Sequence, residues 1–139
     1  CDALDADFSN ININNIDIKN SKNDCIDFSY GKYRINEAYI FECGDKGVSV
    51  GENSNVYIDN ILIKKSNMGI ASKDFSSVYV NKAKIINSVI CAEAYSKKQE
   101  FSGGFIEIQN LECKKLNSTS QTYFSDDGSK INIKNLNDI

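Results

Sequence analysis

One pattern of alternating apolar residues occurs six times along the chain, and it restricts the possible fold more than any other feature. The copies begin at Ile11, Tyr33, Val56, Val78, Ile106 and Ile131 and read ININNIDI, YRINEAYI, VYIDNILI, VYVNKAKI, IEIQNLEC and INIKNLND. Successive starting residues are therefore 22, 23, 22, 28 and 25 positions apart. Repeats of this length are typical of solenoids, in which each repeat packs only against its neighbours.

Within each copy the apolar residues fall at the first, third, sixth and eighth positions, as in Val56, Ile58, Ile61 and Ile63. Two stretches of period two with a shift of phase between them indicate two short strands joined by a bend. The residue at the bend is most often asparagine, which tolerates a left-handed backbone better than most other residues. We therefore expect left-handed conformations at the bend, in the column Asn15, Glu37, Asn60, Lys82, Asn110 and Asn135.

A further short apolar segment precedes each copy by seven or eight residues, except for the fifth copy, where the interval is fourteen. These segments are LDA, IDF, VSV, IAS, AEA and YFS, beginning at Leu4, Ile26, Val48, Ile70, Ala92 and Tyr123. The extra residues of the fifth interval, SKKQEFSGG at 96–104, form a polar protrusion that is either a functional loop or a tolerated bulge.

Three short strands in about 22 residues form a triangular coil, and coils stack at the strand spacing of about 4.8 Å. The sequence therefore predicts an all-β fold, a right-handed parallel β-helix of about six rungs of 22–28 residues, with residues 1–139 as one domain. Neither end shows a polar or helical cap. We expect the domain to be a segment of a larger chain, or its ends to meet flanking domains or copies of itself.

Composition excludes several classes of protein. The formal net charge of -3 and the lack of a basic stripe argue against nucleic acid as a partner. No apolar run is long enough for a membrane span. The five cysteines form no CxxC pair and the chain has no histidine, which argues against a zinc site. We expect most of these cysteines to be core thiols, because Cys113 stands where other copies have isoleucine.

Acidic residues of the first two rungs are the main candidate site. Stacking the rungs places Asp5, Asp27 and Ser49 in one outward column and Asp2, Asp24 and Lys46 in another. Carboxylates about 4.8 Å apart repel one another, and a bound cation relieves the repulsion. Calcium, which takes six to eight oxygen ligands, is the predicted metal for Asp2, Asp5, Asp24 and Asp27. The alternative is a solvated acidic face neutralised by nearby lysines.

A third outward column contains Glu52 and Asp74, with Lys73 beside them. Lys73 is expected to bridge the two carboxylates as a surface ion pair, and all three residues are candidates for ligand binding together with Asp5, Asp27 and Lys46. A repeated serine column two residues further on, at Ser54, Ser76 and Ser129, is expected to close the turns through hydroxyl-to-backbone hydrogen bonds.

These repeats resemble the pectin-lyase-like superfamily of right-handed parallel β-helices along the whole chain. The segments NDCIDFS, GDKGVSVGENS, GIASKDFS and CAEAYSKKQEFSGG also resemble β-helical segments of bacterial surface proteins with CotH-type regions. The superfamily resemblance implies calcium-assisted binding of acidic sugars and a basic residue beside the metal, for which Lys46 is the candidate. It does not extend to the polygalacturonase-like branch, because the chain lacks the GHG motif and Arg34 is followed by INE.

The leading functional expectation is a non-catalytic structural or glycan-binding β-helix module of a bacterial surface or secreted protein, with a polysaccharide as its partner. Regularly spaced polar side chains on flat outer faces suit an extended polymer. One alternative is part of a carbohydrate-active enzyme, a polysaccharide lyase or hydrolase that uses the acidic face. The other is an assembly module that stacks through its uncapped ends.

Overall fold

The computed structural model describes residues 1–117 and 119–139, and this part of the chain is an all-β solenoid without helices. None of these residues lies in a helix that is long and apolar enough to cross a membrane. The strands are β1 Leu4–Asp7, β2 Asn10–Ser21, β3 Ile26–Ser29, β4 Lys32–Cys43, β5 Lys46–Val50, β6 Asn55–Lys73, β7 Ser77–Tyr95, β8 Phe105–Lys115, β9 Tyr123–Ser125 and β10 Lys130–Asp138.

All strand pairs are parallel, and each rung lies in register on the next. The first residue of each short apolar segment pairs with the first residue of the next. The resulting column is Leu4, Ile26, Val48, Ile70, Ala92 and Tyr123. The first residues of the six longer copies also pair in sequence, from Ile11 through to Ile131. The predicted parallel β-solenoid of about six rungs is confirmed.

Apolar ladders fill the interior. The inward residues of the third and fourth copies are all buried, from Val56 at 0% exposure to Ile61 and Ala83 at 4%. Residues of the first and last rungs pack against this core but are only partly buried, among them Ile11 and Ile131. Each large side chain that is fully buried contributes about 1.5 to 3 kcal/mol, so the inner rungs hold most of the hydrophobic stabilisation.

The expectation about the bend was wrong. None of the six bend positions has a positive φ; the left-handed residues of the described chain include Asn20, Glu42, Lys65 and Asn87, at φ 61–66° and each five residues beyond a bend. The amides near the bend instead bond from rung to rung. For example, the Asn135 side chain donates to Asn110 Oδ1 at 3.2 Å. Asparagine is therefore used here for its side-chain amide rather than for its backbone.

Four of the five cysteines are not thiols. Cys25 is bonded to Cys43 and Cys91 to Cys113, with Cα atoms 5.5 and 6.2 Å apart. Only Cys1 is free, and it is exposed. The four sulfurs do lie in the core, as expected, but the coil brings residues 18 and 22 positions apart, about one rung along the chain, next to each other. These distances are within the range that a disulfide requires.

Candidate functional site

The predicted acidic columns lie on the outer face of the sheet that contains β1, β3 and β5. Asp5 pairs in register with Asp27, and Asp27 with Ser49, as the sequence predicted. Ser49 is nevertheless completely buried, because long side chains of neighbouring columns cover it. We call this packed polar region the charged cluster; it comprises Asp2, Asp24, Asp27, Asp45, Lys46, Ser49 and Lys73.

Backbone amides hold the carboxylates of the second column. The amide of Asp24 donates to Asp2 Oδ1 at 3.1 Å, and the amide of Lys46 donates to Asp24 Oδ1 at 3.0 Å. Each carboxylate thus receives a hydrogen bond from the following rung. This gives the stacked acids a structural role that does not require a metal.

Three of the four predicted metal ligands come together. One carboxylate oxygen from each of Asp2, Asp24 and Asp27 lies within 4.8 Å of the others. Asp5 is exposed and stands outside this group. Since Asp2 and Asp24 each use one oxygen for a backbone amide, the group leaves few protein oxygens for calcium, which takes six to eight. Calcium binding here stays a prediction.

Asp27 has the most perturbed carboxyl of the charged cluster. Burial, assisted by the nearby carboxylates of Asp24 and Asp2, raises the pKa of Asp27 to about 6, although the charge of Lys73 opposes the shift. A carboxyl with this pKa exchanges its proton near neutral pH, and such groups concentrate at functional sites.

Lys73 does not form the surface ion pair that the sequence suggested. It is 9% exposed, and its ammonium donates to Ser49 Oγ at 2.9 Å instead of bridging Glu52 and Asp74. Burial, with a contribution from the neighbouring charge of Lys46, lowers the pKa of Lys73. The turn of this side chain toward Ser49 could not be predicted from the repeat, because it depends on contacts between neighbouring columns.

Lys46, the predicted base, has the opposite environment. Its ammonium lies 2.7 Å from Asp45 Oδ2 and 3.9 Å from Asp24 Oδ1. Burial acts to lower the pKa of Lys46, but the hydrogen bond with Asp45 and the charge of Asp24 outweigh it and raise the pKa. Lys46 is therefore held as a cation, and Lys73 is the lysine of this cluster that is better suited to accept a proton.

Glu52 and Asp74 serve the protrusion at 96–104. Asp74 is 1% exposed, and its Oδ1 accepts the backbone amides of Lys97 and Lys98 at 2.7 and 2.9 Å. Glu52 Oε2 lies 3.4 Å from Lys98 Nζ. These contacts fix the base of the protrusion. The other oxygen of Asp74, Oδ2, is buried and has no hydrogen-bond partner in the described part of the chain.

The serine column closes the turns, as predicted. Ser76 Oγ accepts the Lys73 amide at 2.9 Å and donates to the Val50 carbonyl at 3.2 Å. Ser54 Oγ donates to the Glu52 carbonyl at 3.2 Å, and Ser129 Oγ accepts the Gly104 amide at 3.0 Å. These hydroxyls are used within the scaffold and are not available to a ligand.

A groove of about 760 Å³ runs along the solenoid beside the bend. We call it the bend groove; residues that line it include Tyr39, Asn60, Lys82, Lys84, Asn110 and Asn135. Asn60, Lys82, Asn110 and Asn135 are the bend residues of successive rungs. The asparagine column was visible in the sequence but was assigned to backbone geometry, although outward amides at the bends of the first, third, fifth and sixth rungs were the signal for polar groups along one edge.

The parallel solenoid is compatible with a β-helix fold, but nothing in it supports the resemblance to the pectin-lyase-like superfamily in particular. The narrower resemblance to CotH-type surface proteins has no further support in the structure. Comparison of the chain with protein-family models, with curated proteins and with solved structures found no match.

Proposed function

We propose that this chain is a non-catalytic glycan-binding module whose ligand lies along the bend groove. The observation that carries the proposal is the groove itself, an elongated depression of about 760 Å³ that spans successive rungs and has amide, ammonium and carboxylate groups along it. Binding sites for small molecules are concave and combine apolar surface with a few convergent polar groups.

The chemistry of the lining suits a polymer of sugars. An asparagine amide both donates and accepts hydrogen bonds, as a sugar hydroxyl does, so the two can pair in either direction. Asn60 and Asn110 lie two rungs apart, with Lys82 between them. Asn110 bonds to Asn135 and to the Asn81 carbonyl and keeps one N–H and one lone pair for a ligand. Tyr39 and Leu62 add apolar surface at the same groove. Because rungs recur about every 4.8 Å, similar groups meet a regularly repeating chain at regular intervals.

The disulfides support a location outside the cytoplasm. Two disulfides in a domain of 139 residues are typical of oxidising compartments. We therefore propose that the module belongs to a secreted or surface-exposed protein, in line with the bacterial surface expected from the sequence.

Affinity electrophoresis in gels containing soluble cellulose derivatives, glycol chitin, mannan or polygalacturonate tests the proposal. We expect one of these polymers to retard the protein, and Asn60→Ala with Asn110→Ala to weaken binding about tenfold or more, since each lost hydrogen bond costs about 0.5 to 1.5 kcal/mol. Asn14→Ala with Asn36→Ala is the matched control, because this exposed pair bonds to each other at 2.8 Å outside the groove. Equal losses in both double variants, or no retardation by any polymer, would contradict the proposal.

A carbohydrate-active enzyme is the second candidate, favoured by the position of Lys73 in the charged cluster. Its ammonium lies beside Ser49, and burial lowers its pKa, which is the direction of shift that a general base requires. Asp2, Asp24 and Asp27 would hold a calcium ion, which would neutralise an acidic sugar. A hydrolytic Ser49–Lys73 dyad is not supported, because Ser49 has no exposed surface for a substrate to reach.

Two measurements test this candidate. Calcium at 100 times its dissociation constant should stabilise the fold by about 2.7 kcal/mol, an effect that Asp27→Asn removes and Asp5→Asn does not. Lys73→Gln should abolish the release of unsaturated sugars from polygalacturonate, whereas Lys46→Gln should retain part of it. A melting temperature that does not respond to calcium would contradict the metal site. Activity retained by Lys73→Gln would contradict the catalytic role of Lys73.

A further inference from the structure

Phe75 occupies a position that an aromatic residue seldom takes. Its side chain is 64% exposed, and its backbone is left-handed, with φ at 68°. The backbone is held there because the Phe75 amide donates to the carbonyls of Ser102 and Gly103 at 2.9 and 3.0 Å. Bulky residues with a positive φ are strained, and such strain persists only where the surrounding structure maintains it.

Earlier rungs use the same turn position differently. Phe8, Tyr30 and Asn53 are also left-handed there, with φ of 50, 47 and 50°. The rings of Phe8 and Tyr30 are stacked with centroids 4.6 Å apart, so each covers a face of the other. Phe75 follows Asn53 in this column, and no other ring of the described residues stacks on it. Its hydrophobic surface is therefore left to solvent or to a ligand.

A polar groove of about 580 Å³ lies against this ring, on a different edge of the solenoid from the bend groove. We call it the Phe75 groove; among its lining residues are Phe75, Asn53, Ser77, Ser102, Asp127 and Lys130. Two of its three glycines, Gly103 and Gly104, pass too close to Ser129 and Ser72 to carry a side chain. This close packing fixes the base of the protrusion next to the ring.

We propose that the Phe75 groove is a second saccharide site, at which a neutral pyranose ring stacks on Phe75. The apolar C–H face of a pyranose packs on an aromatic ring, while its hydroxyls require donors and acceptors around the edge. Asn53, Ser77 and Ser102 supply an amide and two hydroxyls at this groove. Asp127 and Lys130 carry opposite charges, so the groove has no preference for an ionised sugar. The inference rests on the proposed function for its class of ligand and adds a separate site.

Nuclear magnetic resonance titration of the uniformly ¹⁵N-labelled chain with cellotetraose, chitotetraose and mannotetraose locates each binding event. We expect at least one of these sugars to shift the amide resonances of Ser77, Ser102 and Gly128. Phe75→Asn should weaken this binding at least tenfold without loss of the fold, because Asn53 already occupies the equivalent turn position. Phe8→Asn is the matched control, since it removes a left-handed exposed aromatic that is stacked on Tyr30, and it should leave the affinity unchanged.

The outcomes separate the two sites. The second site is overturned if only the resonances of Asn60, Lys82 and Asn110 shift and the Phe75→Asn variant binds as tightly as the original chain. The proposed function then still stands. Shifts confined to the Phe75 groove and abolished by Phe75→Asn support the second site but remove the bend groove as the ligand site. If none of the three sugars binds at either groove, the second site is overturned, and retardation by the polymers then decides the proposed function alone.

Discussion

The charged cluster and the bend groove are built from the same kind of outward ladder, yet one is closed and the other is open. In the charged cluster Ser49 is fully buried and Lys73 is 9% exposed, because side chains from neighbouring columns lean over the sheet. At the bend, Asn110 and Lys82 stay exposed beside a groove of about 760 Å³. A regular ladder therefore becomes a binding surface only where its own side chains leave it uncovered.

The difference also separates two uses of charge. Inside the charged cluster, burial raises the pKa of Asp27 to about 6 and lowers the pKa of Lys73. The charge of each of these groups also acts on the pKa of the other. The bend groove carries its charges in solvent, where ion pairs such as Lys84 with Glu112 at 3.8 Å contribute little to stability. Substitutions should therefore affect stability in the charged cluster and ligand binding in the groove.

The largest effect is expected at the disulfide between Cys91 and Cys113, which links β7 to β8. Replacing both cysteines with alanine should lower the free energy of unfolding by about 3 kcal/mol, because the link restricts the unfolded chain. Urea denaturation measures this change. Cys1→Ala is the control and should have no effect, since Cys1 is free and exposed. A denaturation midpoint that is the same with and without reductant would be inconsistent with the disulfides.

Lys73→Ala should have the next largest effect, a loss of about 2 kcal/mol in the free energy of unfolding. It removes the hydrogen bond from a charged donor to the buried Ser49 hydroxyl and the packing of a buried side-chain stem. Lys82→Ala in the bend groove, where the lysine is exposed, should change the same quantity by less than about 0.5 kcal/mol. Similar losses of stability in the two variants would contradict the distinction between the charged cluster and the bend groove.

A smaller effect is expected from the titration of Asp27. Its pKa is about 6 in the folded chain and lies near 3.8 in the unfolded chain, so the folded state binds more protons between these values. The free energy of unfolding should therefore fall as pH rises from about 4 to about 6. Thermal melting in buffers with a chelator measures this slope.

Two variants isolate the contribution of Asp27 to that slope. Asp27→Asn should flatten it, because the titrating group is removed. Asp5→Asn, which alters the exposed neighbour in the same column, should preserve it. If stability between pH 4 and 6 has the same dependence in all three proteins, the buried carboxyl does not titrate as described.

The smallest effect is expected in the bend groove itself. Asn60→Ala with Asn110→Ala should change the free energy of unfolding by less than about 1 kcal/mol, because neither residue belongs to the core. Urea denaturation of this pair, alongside the binding assay, shows whether lost binding reflects the groove or the fold. A much larger loss of stability would mean that the amide ladder supports the solenoid.

Much of the fold was predictable because rung period and side-chain direction are local properties. Alternation at period two identified the inward residues, and equal spacing placed Asp5 above Asp27 and Leu4 above Ile26. The disulfides were missed because the distance between Cys91 and Cys113 depends on how the coil closes and does not follow from their spacing along the chain. The left-handed residues were missed for a similar reason, as positions such as Glu42 and Lys65 carry no sequence signature.

The candidate site shows the same division. The sequence brought Asp2 and Asp24 together, because residues 22 positions apart stack from rung to rung, and Asp27 follows Asp24 by three residues in the adjacent column. It did not show that the pKa of Lys46 is raised and that of Lys73 is lowered, since both depend on neighbours from several columns. The Phe75 groove also depends on a protrusion whose path no repeat specifies.

The sequence by itself thus determined the parallel solenoid, its six rungs and the vertical order of its columns, since these follow from a period that each copy repeats. Only the tertiary structure decided which columns are buried by neighbouring side chains and which remain exposed. That outcome depends on lateral contacts between columns, where a side chain such as Lys73 turns toward Ser49 and buries both. Spacing along the chain sets the ladders, and packing between ladders sets the surface that a ligand can reach.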